Sequence, residues 1–202
     1  MIKVGITGQI ACGKTFAARF FGFLGAYVID ADKVGHQMYK LPEIKERLSG
    51  VFGREIFDDN NEVIREKLSD IVFSCEKHLC KLNEIMHPSL ESFLRQKIDM
   101  LKHNSFPGVV VIDAALLGEW DLKDELDHFI LIESPCWQRK KRLISERKMD
   151  PKEADRRIEA QNELNEKVKP FVNYIVRNPG EPCEFKRKLI KVWLEIKGIK
   201  SI

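Results

Sequence analysis

The octapeptide GQIACGKT, residues 8–15, constrains this chain more than any other stretch. It sets Gly8 and Gly13 five apart and follows them with Lys14 and Thr15, meeting the pattern G-x-x-x-x-G-K-[ST]. From average residue usage, an accidental match in a chain of this length is expected about once in a hundred. The context narrows it further. MIKVGIT, rich in β-branched residues, predicts a strand directly before the loop, and TFAARFFGFLG predicts a helix that ends at Gly25. At such a strand–loop–helix junction the backbone N–H groups form a concave nest, and the helix N-terminus adds positive potential. The loop is therefore expected to hold phosphate through the amides of Gly8, Gln9, Ile10, Ala11, Cys12 and Gly13. Lys14 is expected to reach the β- and γ-phosphates of ATP, and the Thr15 hydroxyl to ligate Mg²⁺.

Four further runs, AYVID (26–30), GVVVIDA (108–114), HFILIES (128–134) and NYIVRN (173–178), are dense in Val and Ile and bounded by charged or turn residues. They predict buried parallel strands. The fold class expected is α/β, a three-layer P-loop architecture with a roughly five-stranded parallel sheet. Two segments exceed an ordinary crossover. Between Asp32 and Asn104, helical patterns surround a polar turn, FDDNNEV, in which Asn60 or Asn61 is suited to a left-handed backbone, and Pro88 is expected to bend or interrupt the last helix. Residues 137–170 are highly charged and helix-favouring, with a break near Asp150-Pro151, as in a solvated helical hairpin. The C-terminal FKRKLIKVWLEI places Phe185, Leu189, Val192, Trp193 and Ile196 on one helical face for packing on the sheet.

Three acidic residues stand where ligands gather in open α/β sheets, at the carboxyl ends of the strands. Asp113 closes VVVID, suited to a metal through water or to the acceptor. Asp30 closes strand two, and Asp32 stands two residues on. In phosphoryl transfer the protein mainly positions groups and neutralises charge, and a carboxylate beside the acceptor hydroxyl orients it and takes its proton late. Asp32 suits that role; the competing reading is a solvated Asp that caps the next helix.

Composition bounds the partners. Of 202 residues, 34 are Lys or Arg and 31 Asp or Glu, a net charge of +3, too balanced to argue for a nucleic-acid or membrane-surface partner. Five cysteines without a C-x-x-C pair indicate neither a zinc site nor a disulfide framework. MIKVGITG has neither a basic leader nor a long apolar run, which gives a cytoplasmic expectation.

Taken in order, GITGQIACGKT, LGAYVIDAD, FGREIFDDNNEVIREKL, KLNEIMHP, VVVIDAALLGE, RRIEAQ and YIVRNPG make the chain resemble the dephospho-CoA kinase family over nearly its full length. The resemblance implies ATP-dependent phosphorylation of the ribose 3′-hydroxyl of dephospho-CoA to CoA and ADP, the last step of CoA synthesis. It implies a nucleotide-binding core (1–32, 105–136 and 171–202), a helical domain for the CoA substrate (33–104), and a lid (137–170). The family's catalytic Asp falls on Asp32, its first lid Arg on Arg142, and its late Asn near the adenine on Asn178. Its Arg after the polar turn falls on Arg65 and its His-Pro pair on His87 and Pro88; with Asp113 at its strand end, Arg65 and His87 are expected to bind the substrate. Arg65 suits either an acceptor phosphate or a nearby carboxylate. The implied protein is a monomer or weak homo-oligomer.

Four departures stand out. Cys12 occupies a loop position where the amide nest and Lys14 are expected to favour a thiolate, so that its alkylation would block ATP binding. Arg142 and Arg147 are five apart where the family has four, Ala115 replaces a proline, and Asn173 replaces an acid. Two rival readings are a P-loop kinase for another small hydroxyl or nucleotide substrate, and a nucleotide-binding regulatory module without turnover.

Overall fold

The computed structural model describes residues 1–199. Five parallel strands, β1 (Ile2–Thr7), β2 (Tyr27–Asp30), β3 (Val109–Asp113), β4 (His128–Glu133) and β5 (Tyr174–Arg177), form one sheet in the order β2-β3-β1-β4-β5. Their Val and Ile content is what two covered faces require, and β3 is buried at every residue. Alternate residues Val4 and Ile6, Val109 and Val111, and Ile130 and Ile132 point to one face. There they meet α1 (Lys14–Phe23) and α9 (Pro182–Ile196). The predicted apolar stripe of α9 is buried throughout, and Trp193 packs on Phe21 with ring centroids 5.3 Å apart.

The described chain divides into two compact units, 1–30 with 98–199, and 31–97. The second is helical: α2 (Ala31–Met38), α3 (Pro42–Phe52), α4 (Arg65–Ser74) and most of α5 (Glu76–His103). Between α3 and α4 the polar turn closes as the sequence suggests. Asp58 Oδ1 accepts from the N–H groups of Asn60 (2.9 Å) and Glu62 (2.8 Å), and Asn61 is the residue that turns left-handed, at φ 59°. An antiparallel bridge from Phe57 to Val63 then sets Arg65 at the first position of α4.

Pro88 does not interrupt its helix: α5 runs 28 residues through it. A proline has no N–H for the carbonyl four residues back, here that of Glu84. Arg47 of α3 supplies the missing donor, Nη2 to Glu84 O at 3.2 Å and Nη1 to Ile85 O at 3.2 Å. A guanidinium fork thus does the work of the lost helical bond. Arg47→Met is expected to lower stability by about 0.5–1.5 kcal/mol, the net worth of a typical hydrogen bond, because it removes the donor to the Glu84 carbonyl. Urea unfolding checks it, the slope m staying unchanged.

Candidate functional site

The loop between β1 and α1 has the backbone that its glycines permit. Gly8 and Gly13 sit at φ 143° and 110°, and Ala11 also turns left-handed, at 58°. A Cβ on Gly8 would lie against the carbonyl oxygen of Ile132 and 2.9 Å from Cys12 Sγ. Helix α1 opens at Lys14 without a side-chain cap and with no acidic residue in its first turn, so its leading N–H groups remain available to an anion. Lys14 and Thr15 are half-buried, and Lys14 Nζ lies 3.5 Å from the carbonyl of Gln9.

Residues far along the chain brace this loop. Asn178, just past β5, donates Nδ2 to Cys12 O (2.8 Å), and its Oδ1 accepts from Gly180 N–H (3.0 Å), so both ends of its buried amide are engaged. Arg142 donates Nη1 to Ala11 O (2.8 Å) and Cys12 O (3.3 Å), and lies 3.4 Å from Ser134 Oγ. Gln161 accepts from Ile10 N–H at 2.5 Å, and Gln9 Nε2 donates back to Gln161 O at 2.7 Å. The RRIEAQ segment is therefore tied directly to the loop.

The charged hairpin consists of α6 (Cys136–Ser145), α7 (Pro151–Glu159) and α8 (Leu164–Val168). It is less solvated than its composition suggests: Leu143, Ala154 and Ile158 form a small core onto which Ile10 and Ala11 of the loop pack. Asp150 caps α7, accepting from Lys152 N–H (2.9 Å) and Glu153 N–H (3.2 Å), with Pro151 at the first helical position. The extra residue between Arg142 and Arg147 is taken up where α6 ends. Lys148 turns left-handed (φ 56°), Met149 N–H reaches back to Leu143 O (3.1 Å), and the Met149 side chain packs beside Leu143. Arg147 lies beyond the helix and is exposed.

Beside this brace, between α6 and the turn after β5, lies a cavity of about 670 Å³ whose lining includes Trp137, Gln138, Lys141, Arg142, Pro179 and Gly180. Gln138 Nε2 donates to Pro179 O (2.9 Å) and fixes one wall. Sequence reasoning passed over Trp137 and Gln138; the one available signal was RNPG, whose Pro-Gly turn shapes the facing wall.

At the sheet edge, Asp30 and Asp113 are register partners at the ends of β2 and β3, and Asp113 is buried. Asn173 needs no charge where an acid was expected: its Oδ1 accepts from Phe129 N–H (2.7 Å) and its own N–H donates to Phe129 O (2.8 Å). In the helical unit, Asp32 is exposed in the first turn of α2, where a carboxylate complements the helix dipole, and not at the capping position before it. Arg65 is exposed, and its charge acts on Tyr39, whose hydroxyl pKa is raised by burial and only partly drawn back by Arg65. Burial lowers the pKa of half-buried His87, which favours the neutral imidazole.

Cys12 corrects the expectation of a reactive thiolate. Its side chain is 1% exposed beneath the loop, and burial raises its pKa in spite of Lys14, the Lys14 backbone bond and Arg139. Cys75, Cys80, Cys136 and Cys183 are exposed. Titration with iodoacetamide, followed by peptide mass spectrometry, is expected to label these four before Cys12.

Among the described residues, no cluster of three or more His, Cys, Asp or Glu could hold a metal, and no helix is long and apolar enough to cross a membrane.

A family model for dephospho-CoA kinase matches residues 2–184. A dephospho-CoA kinase of Aquifex aeolicus is 35% identical over 197 residues, covering 97% of this chain and 98% of its own. A crystal structure from Thermus thermophilus superposes with a TM-score of 0.78 at 25% identity, covering 96% of each chain. The dephospho-CoA kinase of Campylobacter jejuni shares the fold, with a TM-score of 0.68 at 22% identity over 97% of this chain and 98% of its own.

Proposed function

The chain belongs to the dephospho-CoA kinase family, and on that premise we propose how its own residues move the γ-phosphoryl group of ATP to the ribose 3′-hydroxyl of dephospho-CoA, giving CoA and ADP. The observation that carries the reading is the braced loop: an uncapped helix start, Lys14, and a backbone held by Asn178, Arg142 and Gln161. Such a surface presents fixed N–H groups to a triphosphate with little reorganisation left to do on binding.

The N–H groups of Ile10 and Cys12 are spent on Gln161 Oε1 and Gln9 O, so in this reading the other amides of the loop and Lys14 take the phosphates, and Arg142, held at the loop rim, adds positive charge that offsets the charge of the transferring group. The cavity beside Trp137 and Gln138 receives the adenine, with Asn178 holding the loop edge below it. Asp32 orients the 3′-hydroxyl and takes its proton as the new P–O bond forms. Arg65 and His87 of the helical unit bind the acceptor, Arg65 through phosphate and His87 as a neutral hydrogen-bonding ring, and Asp113 completes the polar edge. The domain roles follow: residues 33–104 serve the CoA substrate, 137–170 act as the lid, and the remainder holds the nucleotide. Closure of the lid excludes water, which would otherwise receive the phosphoryl group.

The residues fit Mg²⁺. Magnesium keeps several waters and takes only one or two protein oxygens beside substrate phosphates, so a Thr15 hydroxyl, with Asp113 acting through water, suffices without an acidic cluster. When bound, the ion neutralises charge across the phosphate oxygens. We place the enzyme in the cytoplasm as a monomer or weak homo-oligomer, with no nucleic-acid or membrane partner.

The test is ADP and CoA production by the purified protein with ATP and Mg²⁺, with and without dephospho-CoA. ADP formed in step with CoA, and only with the acceptor, supports the reading. ATP bound without acceptor-dependent ADP would favour the module without turnover.

A further inference from the structure

Arg139 lies in α6, one helical turn before Leu143 and three residues before Arg142. Both of those residues face the phosphate loop, Leu143 in a core shared with Ile10 and Ala11 and Arg142 through the carbonyls of Ala11 and Cys12. Residues three and four apart share a helix face, so Arg139 faces the loop as well. Its charge acts on Cys12, as do those of Lys14 and Asp113, which puts it in the group of charged side chains around the loop.

Its environment is unusual. Arg139 is 4% exposed, yet Nε and Nη1 are buried and have no hydrogen-bond partner. A guanidinium cannot shed its charge, so burying two of its N–H groups unpaired costs stability that packing alone does not return. By contrast Arg142 already spends Nη1 on the loop backbone. The two arginines are thus in different states, one engaged as a brace and one with donors still unspent.

We propose that Arg139 is a catalytic phosphate ligand of this enzyme: its Nε–H and Nη1–H donate to phosphate oxygens of the ATP held by the loop. The inference rests on the loop being the ATP site, as read above. It assigns to Arg139 a direct contact with the phosphates, beside the charge that Arg142 adds from the loop rim. A guanidinium suits the task, since its charge is permanent and its diverging Nε–H and Nη1–H can meet oxygens of different phosphates. An acceptor that arrives with the substrate also accounts for a buried charge left unpaired without it.

The test compares Arg139→Met and Arg139→Lys with the wild-type full chain, by calorimetric titration with ATP and with inorganic tripolyphosphate and by thermal melting without ligand. Removing an unpaired buried charge is expected to leave the ligand-free Tm of Arg139→Met equal to or above that of the wild type. The same change should weaken ATP and tripolyphosphate in parallel, each by about 10- to 100-fold, the loss of charge-assisted hydrogen bonds. Arg139→Lys, which keeps stem and charge but loses the two diverging donors, should fall between the two. A lower ligand-free Tm with wild-type ATP affinity would make Arg139 a packing residue and overturn the proposal. Should Arg139→Met fail to fold, wild-type affinity in Arg139→Lys would overturn the two-donor contact in its place. Failure of the wild type to form CoA counts against the acceptor reading alone, because the affinity comparison does not involve the acceptor.

Discussion

Asp32→Asn is expected to lower kcat for CoA formation by about 10²- to 10⁴-fold, the range that a positioned proton acceptor contributes. ATP affinity should remain that of the wild type. Asn keeps nearly the shape of Asp and still accepts a hydrogen bond from the 3′-hydroxyl, but it cannot take the proton. In a loose transition state that proton leaves late, when the acceptor oxygen is already bonding to phosphorus and its acidity has risen. The loss should therefore appear in kcat and kcat/KM together, with little change in KM for dephospho-CoA. Helix stability is not at issue. Asp32 is exposed inside the first turn of α2, and neutralising a carboxylate there forfeits about 0.3–1 kcal/mol of dipole interaction, too little to unfold the protein. Single-turnover CoA formation with calorimetric ATP binding separates the outcomes. Turnover within a few-fold of wild type would remove Asp32 from the chemistry and reopen the reading of a kinase with another acceptor geometry.

What the sequence made legible follows its periodicities and its short motifs. Strands two to five could be read because a parallel sheet covered on both faces demands unbroken Val and Ile, and α9 because Phe185, Leu189, Val192, Trp193 and Ile196 repeat at helical spacing. The phosphate loop could be read because Gly8 and Gly13 take backbone conformations, φ 143° and 110°, that L residues rarely adopt, and Lys14 and Thr15 follow at fixed offsets. Partnerships across the chain could not. Nothing local in RRIEAQ says that the Gln161 side chain will accept the Ile10 N–H 151 residues away, or that Arg47 will take the carbonyl orphaned by Pro88. Cys12 shows the same limit from the other side. Its neighbours in sequence argue for a thiolate, but depth of burial is a tertiary property and outweighs them. Arg139 and Arg142 look alike in QRKKR, and only the fold distinguishes the buried unpaired guanidinium from the one that braces the loop.

Gly8→Ala should weaken ATP binding by about 100-fold and destabilise the fold. Two penalties act at once. The backbone there has φ 143°, which L residues rarely adopt, and the new methyl would press on the Ile132 carbonyl oxygen and on Cys12 Sγ at 2.9 Å. The carbonyl belongs to β4, inside the sheet, and cannot retreat without breaking strand pairing, whereas Cys12 is already 1% exposed with no room beneath it. Strain of this kind costs about 1–3 kcal/mol and overpacking a further 1–3 kcal/mol. A total near 3 kcal/mol corresponds to a fall in Tm of about 6–12 °C for a chain of this size. The loop can relieve the strain only by lifting, which moves its N–H groups away from the phosphates; a displacement of about 1 Å suffices for a loss on the order of 100-fold. Gly50→Ala provides the control. Gly50 lies in α3 with nothing within 4 Å of an added Cβ, so alanine there should raise stability by about 0.5–1 kcal/mol. Opposite shifts in melting for the two variants, with ATP binding weakened only in Gly8→Ala, would tie the glycine to the loop's shape. Wild-type ATP affinity in Gly8→Ala would mean that the nucleotide is held elsewhere.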